Sequence, residues 1–252
     1  MSTLGRFLRV TSFGESHSHA VGVVIDGLPR MTRLCEREVQ QQLDRRRPGQ
    51  SKLTTARDEK DRVVFLSGIE KGVTLGSPLA MLVCNEDQRP KDYAAFADVP
   101  RPSHADFTYQ LKYGVRASSG GGRSSARETI ARVAAGAVAD KWLRDRFGTS
   151  IVAWVSAVGD VQAPAALAER VPAVSRDDVD GKGGGVGVGV GGCGGVRCPD
   201  AETARRMAQR IREAADAHDS VGGVITCVCS GVPPGLGEPV FDKVSASITW
   251  RS

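Results

Sequence analysis

Two of the four histidines lie in loops among polar residues that could take part in acid–base chemistry. His17 directly follows Ser16, and His104 lies within the segment RPSHAD. An imidazole titrates near neutral pH, so either side chain could donate or accept a proton during catalysis. A lone histidine in a loop is more often a surface residue, and that interpretation fits His19 and His218. From the residues alone, both interpretations stay open for His17 and His104.

The segment GGGRSSARE, residues 120–128, combines three glycines, an arginine and two serine hydroxyls at a predicted helix start. Free N–H groups at that end, the helix dipole and Arg123 would favour an anion. Three consecutive glycines also let a ligand approach the backbone closely. The alternative is that glycines and Ser125 only start and cap the helix. We expect ligand contact here, with Ser125 capping the helix in either case.

A basic cluster surrounds the turn at Pro48 and Gly49. It consists of Arg45, Arg46, Arg47, Lys52 and Arg57. Such a run is usually a solvated face, but arginine side chains around a rigid turn can also enclose a phosphate or carboxylate. Two anion-binding segments and two possible proton donors together predict an enzyme or binding protein for a multiply anionic small molecule.

The composition excludes several other classes. The 252 residues are 40% hydrophobic and 25% charged with a net charge of +5, as in a globular domain with a modest basic excess. Aromatic residues make up only 5%, and no RNP-like block is present, which argues against nucleic-acid binding. None of the six cysteines forms a CxxC pair, so we expect reduced thiols, no metal site and a cytoplasmic location. The sequence also predicts no secretory signal and no membrane span.

The elements that must position these residues follow from hydrophobic periodicity. Strands at 6–12 and 20–26 enclose the His17 loop, and a short helix ends near Arg47 because Pro48 follows. Further strands are predicted at VVFLSG, PLAMLVCN, residues 150–160 and VGGVITCVCSGVP, the last with Cys227 and Cys229 as packed core thiols.

Two helices and two irregular segments complete the prediction. A long helix covers about 125–147, with Ser125 and Glu128 at capping-box spacing, and Asp200 caps a second helix. Residues 86–123 are predicted to be a functional loop, because they lack periodicity and are too long for a simple connection. The glycine-rich tract at 181–195 is predicted to be a low-complexity insertion in a single domain that covers residues 1–252.

Several ordered blocks together resemble the chorismate synthase family, and the details are most similar to its fungal-type members. The blocks are FGESH, IDGLP, DRRRPGQS, TARDEKD, LSGIEKGVTLGSP, RPSHADFTY, KYGVRASSGGGRSSARETIARVAAGA, VRCPD, DSVGG and GVPPGLGEPVFDKV. The resemblance implies an α+β fold, a β-α-β sandwich with helices between antiparallel sheets, assembled as a homotetramer.

The resemblance also implies the reaction. The enzymes of this family are carbon–oxygen lyases that form chorismate from 5-enolpyruvylshikimate 3-phosphate by an anti-1,4 elimination of phosphate, a step of aromatic amino acid biosynthesis. They require reduced FMN, which is not consumed, and fungal-type members also reduce their flavin with NADPH.

Roles for individual residues come from the same resemblance. His17 matches the acid that protonates the departing phosphate, and His104 matches a histidine beside the flavin. Ser16 and Ser125 match hydroxyls of a proton relay. The remaining matches are with ligand-binding positions: Arg123, Ser124 and Ser125 for FMN, Arg46, Arg47, Lys52 and Arg57 for the substrate, and Arg46 and Lys52 also for NADPH.

The family pattern is matched over about residues 1–246. In the family, further blocks follow that supply much of the flavin pocket and an aspartate of the proton relay. We therefore expect this chain to lack the end of the family's fold. Two hypotheses remain at this stage: a chorismate synthase, or a protein that binds anionic ligands without turnover.

Overall fold

The computed structural model describes residues 2–50, 53, 57–87, 93, 99–117, 120–169, 174–181 and 195–249. The predicted ligand residue Lys52 and nearly all of the glycine-rich tract lie outside these described residues. The strands are β1 Thr3–Leu4, β2 Arg9–Gly14, β3 Ala20–Asp26, β4 Val63–Ser67, β5 Ile69–Glu70, β6 Val73–Thr74, β7 Leu79–Cys84, β8 Ser150–Val158, β9 Val161–Gln162 and β10 Gly223–Ser230. The helices are α1 Glu36–Arg46, α2 Asp106–Tyr113, α3 Thr129–Phe147, α4 Ala166–Glu169, α5 Arg176–Val179, α6 Ala201–Asp216 and α7 Val244–Thr249.

The described residues group into two compact units, Met1–Ala139 and Asp140–Ser252. The predicted single domain stays a prediction. Antiparallel sheets and helices occur in both units, which confirms the predicted α+β class.

The first unit is built on a five-stranded sheet with the order β1-β2-β3-β7-β4, antiparallel throughout. Alternate residues of β3 face the core, because successive side chains of a strand point to opposite faces. Val23 of β3 lies opposite Met81 of β7, and both are at most 1% exposed. The core they form includes Val39 of α1 and Ile130 of α3. This sheet and these two helices support the loops that carry His17 and the basic cluster.

Helix α1 follows the sequence prediction. Cys35 and Glu38 form a capping box in which the Glu38 carboxylate accepts a hydrogen bond from the Cys35 N–H at 3.0 Å. The helix ends at Arg46. The next residue, Arg47, has a non-helical ψ of 148°, as expected for the residue before Pro48.

The start of the long helix differs from the prediction. Two short 3₁₀ turns, Gly122–Ser124 and Ala126–Glu128, precede α3, which begins only at Thr129. The Ser125 hydroxyl accepts a hydrogen bond from the Arg127 N–H, two residues on, rather than closing a capping box. The segment therefore presents an irregular backbone where a regular helix start was predicted.

The predicted functional loop also contains an unpredicted helix, α2 (Asp106–Tyr113). Its apolar side chains Phe107 and Leu111 are 57% and 69% exposed, and Asp106 is the one residue of the helix that is buried. The helix therefore buries no apolar face among the described residues. Gly114 ends the helix in the left-handed conformation.

The second unit contains a three-stranded sheet with the order β10-β8-β9 and a separate apolar cluster around Trp154. Helix α6 begins as predicted, since the Asp200 carboxylate accepts a hydrogen bond from Thr203 N–H at 2.8 Å. The prediction that β10 is buried with core thiols was wrong. Cys227 and Cys229 are exposed, and Ile225 is 72% exposed.

Candidate active site

The turn between β2 and β3 carries Ser16 and His17. The Ser18 hydroxyl closes the turn locally: it accepts from the Glu15 N–H at 3.1 Å and lies 3.0 Å from the Glu15 carbonyl. The His17 ring contacts the ring of Tyr93 edge-on, with centroids 4.8 Å apart. On another side lies Gly120, where a Cβ atom would come within 2.6 Å of His17 Cδ2. The imidazole is therefore held by an aromatic ring and a side-chain-free backbone.

Ser16 is 2% exposed, and its hydroxyl makes no hydrogen bond with the part of the chain that the structure describes. Burying a hydroxyl without a partner costs on the order of 1–3 kcal/mol. Such a group next to His17 is suited to a ligand that supplies the missing hydrogen bond.

The start of the GGGRSSARE segment packs against the same turn. Arg123 donates to the carbonyls of Gly14 and Ser12 at 2.8 and 3.2 Å and to the Ser12 hydroxyl at 2.6 Å. Its guanidinium thus joins this segment to β2, whereas the sequence predicted a ligand contact. Ser124 is exposed, and its hydroxyl donates to the Gly121 carbonyl at 2.6 Å.

The predicted basic cluster separates into different roles. Arg46 donates to Thr129 Oγ1 at 3.0 Å and to the Ala126 carbonyl at 2.6 Å, and it lies 3.5 Å from the Asp61 carboxylate. Burial lowers the pKa of the Arg46 guanidinium below its ordinary value, although Asp61 opposes that shift. Arg46 therefore connects α1 to the turns before α3.

Arg57 pairs with Glu59 at 2.6 Å and donates to the Ser16 carbonyl at 3.1 Å. Arg47, in contrast, is exposed, and no side-chain ion pair is seen for it within the described ranges. Of the predicted substrate-binding arginines, Arg47 is the one whose guanidinium is turned to solvent.

His104 is exposed, and its Nδ1 lies 2.9 Å from the Pro102 carbonyl. A carbonyl can only accept, so Nδ1 carries the proton and Nε2 is the acceptor in the neutral ring. Nearby, Arg101 binds the Asp106 carboxylate through two side-chain hydrogen bonds of 2.9 and 3.1 Å and lies over the Tyr93 ring at 5.5 Å. Tyr93 therefore contacts both His17 and the segment that carries His104.

Hydrogen bonds from Arg101, with its charge and that of Arg116, hold the pKa of Asp106 at about 2. The carboxylate stays ionised at any pH at which the protein works. Asp106 thus fixes the RPSHAD segment to Arg116, which follows α2.

Sequence reasoning missed a buried ionic network beneath the turn. Glu59 and Asp61 have fully buried side chains, and Arg127 is 3% exposed. Arg127 lies 2.6 Å from Asp61 and 3.5 Å from Glu59. Burial alone would raise the pKa of Glu59, but hydrogen bonds from the Glu86 N–H and Arg57 lower it below its usual value. The sequence offered one indication of this network: its charged residues lie in segments that resemble the family, TARDEKD and RSSARE.

Within the described ranges, no three His, Cys, Asp or Glu side chains come together as metal ligands. None of the described helices is both long and apolar enough to cross a membrane.

Comparison with known proteins gives a consistent result. A family model described as chorismate synthase matches residues 8–251. The chain is 54% identical over 262 residues to the chorismate synthase aro-2 of Neurospora crassa, and 49% identical over 270 residues to the chorismate synthase of Schizosaccharomyces pombe. In both comparisons 98% of this chain is aligned, with 58% and 65% of the relatives' own lengths.

A solved structure described as a crystal structure of chorismate synthase matches with a TM-score of 0.67 and 29% identity. The match covers 92% of this chain and 60% of the solved one. The chain thus spans about three fifths of the proteins it resembles.

Proposed function

This chain belongs to the chorismate synthase family, and we propose that it carries the Ser16–His17 part of an active site that eliminates phosphate from 5-enolpyruvylshikimate 3-phosphate. The observation that supports this proposal is the His17 turn. There, an imidazole that contacts Tyr93 and Gly120 adjoins the buried hydroxyl of Ser16, which has no hydrogen-bond partner within the described part of the chain.

The elimination breaks the C–O bond to phosphate and a ring C–H bond, and the ring gains a double bond. Phosphate leaves as an anion, so a nearby acid makes its departure easier. His17 in its protonated form can donate a proton to the leaving oxygen, and general acids of this kind contribute roughly 10²–10⁴-fold in rate. The Ser16 hydroxyl can donate a hydrogen bond to the same ligand.

The substrate carries a phosphate and two carboxylates, and these anions need cationic partners. Arg47 is available for them, because its guanidinium is exposed at the end of α1. Arg46 and Arg57 contribute to the positive potential of the site, while their hydrogen bonds to protein atoms hold the surrounding segments together. Lys52, which lies outside the described residues, stays a predicted ligand.

The described residues fit part of a flavin site. The Ser16 hydroxyl has no hydrogen-bond partner among the described residues, the Ser124 hydroxyl is exposed, and Gly121 has no side chain. Arg123 fits less well as a direct phosphate ligand, because its guanidinium is bonded to Ser12 and Gly14. Reduced FMN, when bound, would supply an electron to the substrate transiently and recover it.

His104 is proposed to lie near that flavin. Its Nδ1–H is directed to the Pro102 carbonyl, which leaves Nε2 to interact with a ligand. NADPH use, assembly as a homotetramer and a cytoplasmic location are proposals that rest on the family resemblance.

The test is an anaerobic assay of this protein with 5-enolpyruvylshikimate 3-phosphate and reduced FMN. We expect chorismate and inorganic phosphate in equal amounts, and neither product with oxidised FMN. Phosphate release without chorismate would instead indicate a hydrolase. Substrate binding without either product would indicate a protein that only binds anionic ligands.

A further inference from the structure

The turn that carries His17 is held through the carbonyl oxygens of its backbone. Those of Glu15, Ser16 and Ser18 accept hydrogen bonds from side chains that are distant in the sequence. Asn85, directly after β7, accounts for several of their hydrogen bonds. Its Nδ2 donates to the carbonyls of Glu15 at 3.0 Å and Ser18 at 2.6 Å, and its backbone N–H donates to the carbonyl of His19 at 2.9 Å.

We propose that Asn85 is a positioning residue for catalysis: it fixes the Ser16–His17 turn so that the imidazole and the hydroxyl meet the substrate. This role rests on the proposed function of His17 as the acid. Asn85 is 8% exposed and has no proposed contact with the substrate, so it acts only through the turn.

The amide is itself oriented by a buried charge. Arg127 Nε donates to Asn85 Oδ1 at 2.7 Å, and this bond leaves Nδ2 facing the two carbonyls of the turn. The Arg127 guanidinium is itself fixed by an ion pair with the Asp61 carboxylate at 2.6 Å. A charge-assisted hydrogen bond is stronger than a neutral one, so the Asn85 side chain has one favoured orientation.

A second connection reaches the same turn through Glu59. Its carboxylate accepts from the Glu86 N–H at 2.8 Å, next to Asn85 in the chain, and binds Arg57 at 2.6 Å. Arg57 then donates to the Ser16 carbonyl at 3.1 Å. The turn is therefore attached to one buried network at two places. Breaking a buried ionic network is costly, so a shift of the turn is strongly opposed.

The position requires an amide specifically. Two donors must reach two carbonyls while one acceptor receives Arg127, and asparagine supplies both within one short side chain. Aspartate has nearly the same shape and would keep the bond to Arg127. It would, however, place a carboxylate oxygen against the carbonyls of Glu15 and Ser18, which repel it.

This contrast defines the experiment, with Asn85→Asp as the test variant. The control is Gln41→Glu, the same amide-to-acid change in the same unit. Gln41 is exposed on α1, and within the described residues its side chain bonds neither to the turn nor to Asp61. Both variants are made in the 252-residue chain.

The position of the turn is measured by NMR of labelled histidine. The chain has only four histidines, so each resonance can be assigned by substitution. His17 protons feel the ring current of Tyr93 at 4.8 Å and report displacement of the turn. The catalytic consequence is measured as kcat and KM for 5-enolpyruvylshikimate 3-phosphate.

We expect Asn85→Asp to move the His17 resonances, to leave those of His218 unchanged, and to lower kcat about 10²-fold with little change in KM, as expected for misplaced catalytic groups. Gln41→Glu should leave the His17 resonances and kcat close to those of the parent. If Asn85→Asp does not fold, Asn85→Ser removes the amide without adding charge and carries the same expectation.

Three results would overturn the positioning role. The first is a folded Asn85 variant whose His17 resonances and kcat equal those of the parent. The second is an effect of Gln41→Glu as large as that of Asn85→Asp. The third is a variant with a higher KM and an unchanged kcat, which would assign the residue to substrate binding. If the parent itself forms no chorismate, the proposed function fails, and the His17 resonances still decide whether Asn85 fixes the turn.

Discussion

At the residue scale, the arginines of the first unit differ in what their guanidinium groups bind. Arg46, Arg57 and Arg123 form hydrogen bonds with backbone carbonyls, so their charge also organises the loops. The sequence predicted basic residues near one another, but it could not show which of them bind protein atoms. That outcome depends on carbonyls that lie far away in the chain, such as Gly14 for Arg123.

Arg47→Ala is therefore expected to weaken substrate binding without unfolding the protein. The loss of a hydrogen bond to a charged group costs about 1.5–3 kcal/mol, which corresponds to roughly a 10- to 150-fold higher Kd. Calorimetric titration with 5-enolpyruvylshikimate 3-phosphate measures the effect. Arg37→Ala, at an exposed position on α1, is the control. If neither substitution changes the Kd, Arg47 belongs to a solvated face.

Asp106 gives a prediction about pH. Its pKa is about 2 in the folded protein, held below the ordinary value of 3.8 by hydrogen bonding to Arg101. A depressed folded pKa stabilises the protein above the unfolded value, and that stabilisation is lost as the pH falls from about 4 toward 2. Chemical denaturation of the parent and Asp106→Asn should show a stability difference that narrows over this interval. A difference that is constant with pH would contradict the assignment.

At the element scale, the sequence predicted the strands and helices that have a clear apolar periodicity. Strand β3 and helix α1 have clear apolar patterns, and α1 ends where Pro48 requires it. The irregular turns before α3 were not predictable, because they depend on contacts that are distant in sequence. Arg46 of α1 binds the Ala126 carbonyl, and Arg123 binds the Gly14 carbonyl of β2. Asn85 gave no signal at all, since its role depends on a turn about 70 residues earlier.

The GGGRSSARE segment supplies a test at this scale. Gly120 has φ +70°, and a Cβ there would come within 2.6 Å of His17 Cδ2. Gly72 has a similar φ of +76° but nothing within 4 Å of its Cβ position. Gly120→Ala and Gly72→Ala therefore introduce similar backbone strain, of order 1 kcal/mol, and differ in their contact with the imidazole.

We expect Gly120→Ala to lose at least as much stability as Gly72→Ala, measured by thermal denaturation, and only Gly120→Ala to lower kcat substantially. Equal activities in the two variants would show that the position of the His17 ring does not depend on Gly120.

At the scale of the whole molecule, the second unit has an apolar surface on β10. Ile225 is 72% exposed and Val224 is 56% exposed, and exposed apolar residues on a sheet favour association. Ile225→Lys should reduce self-association in sedimentation experiments and leave the melting temperature nearly unchanged. Val152, on the neighbouring strand, is 6% exposed, and Val152→Lys should unfold the unit. Unchanged association in Ile225→Lys would exclude this surface as its cause.

The chain's membership of the family was predictable from ordered blocks that span most of its length, and the family model confirms it over residues 8–251. The predicted roles of His17, His104, Ser16 and Ser125 stay predictions, because a fold positions groups without demonstrating a reaction. What the structure adds is the packing of the His17 ring and the network beneath it.

The role of His17 as the general acid is tested by the kinetics of His17→Gln, compared with those of His19→Gln in the same loop. We expect His17→Gln to lower kcat for chorismate formation by roughly 10²–10⁴-fold and to change KM little, because a general acid acts in the transition state. His19→Gln should keep kcat within about 2-fold of the parent, well below the range for a general acid. A His17→Gln enzyme that forms chorismate at the parental rate would contradict the account.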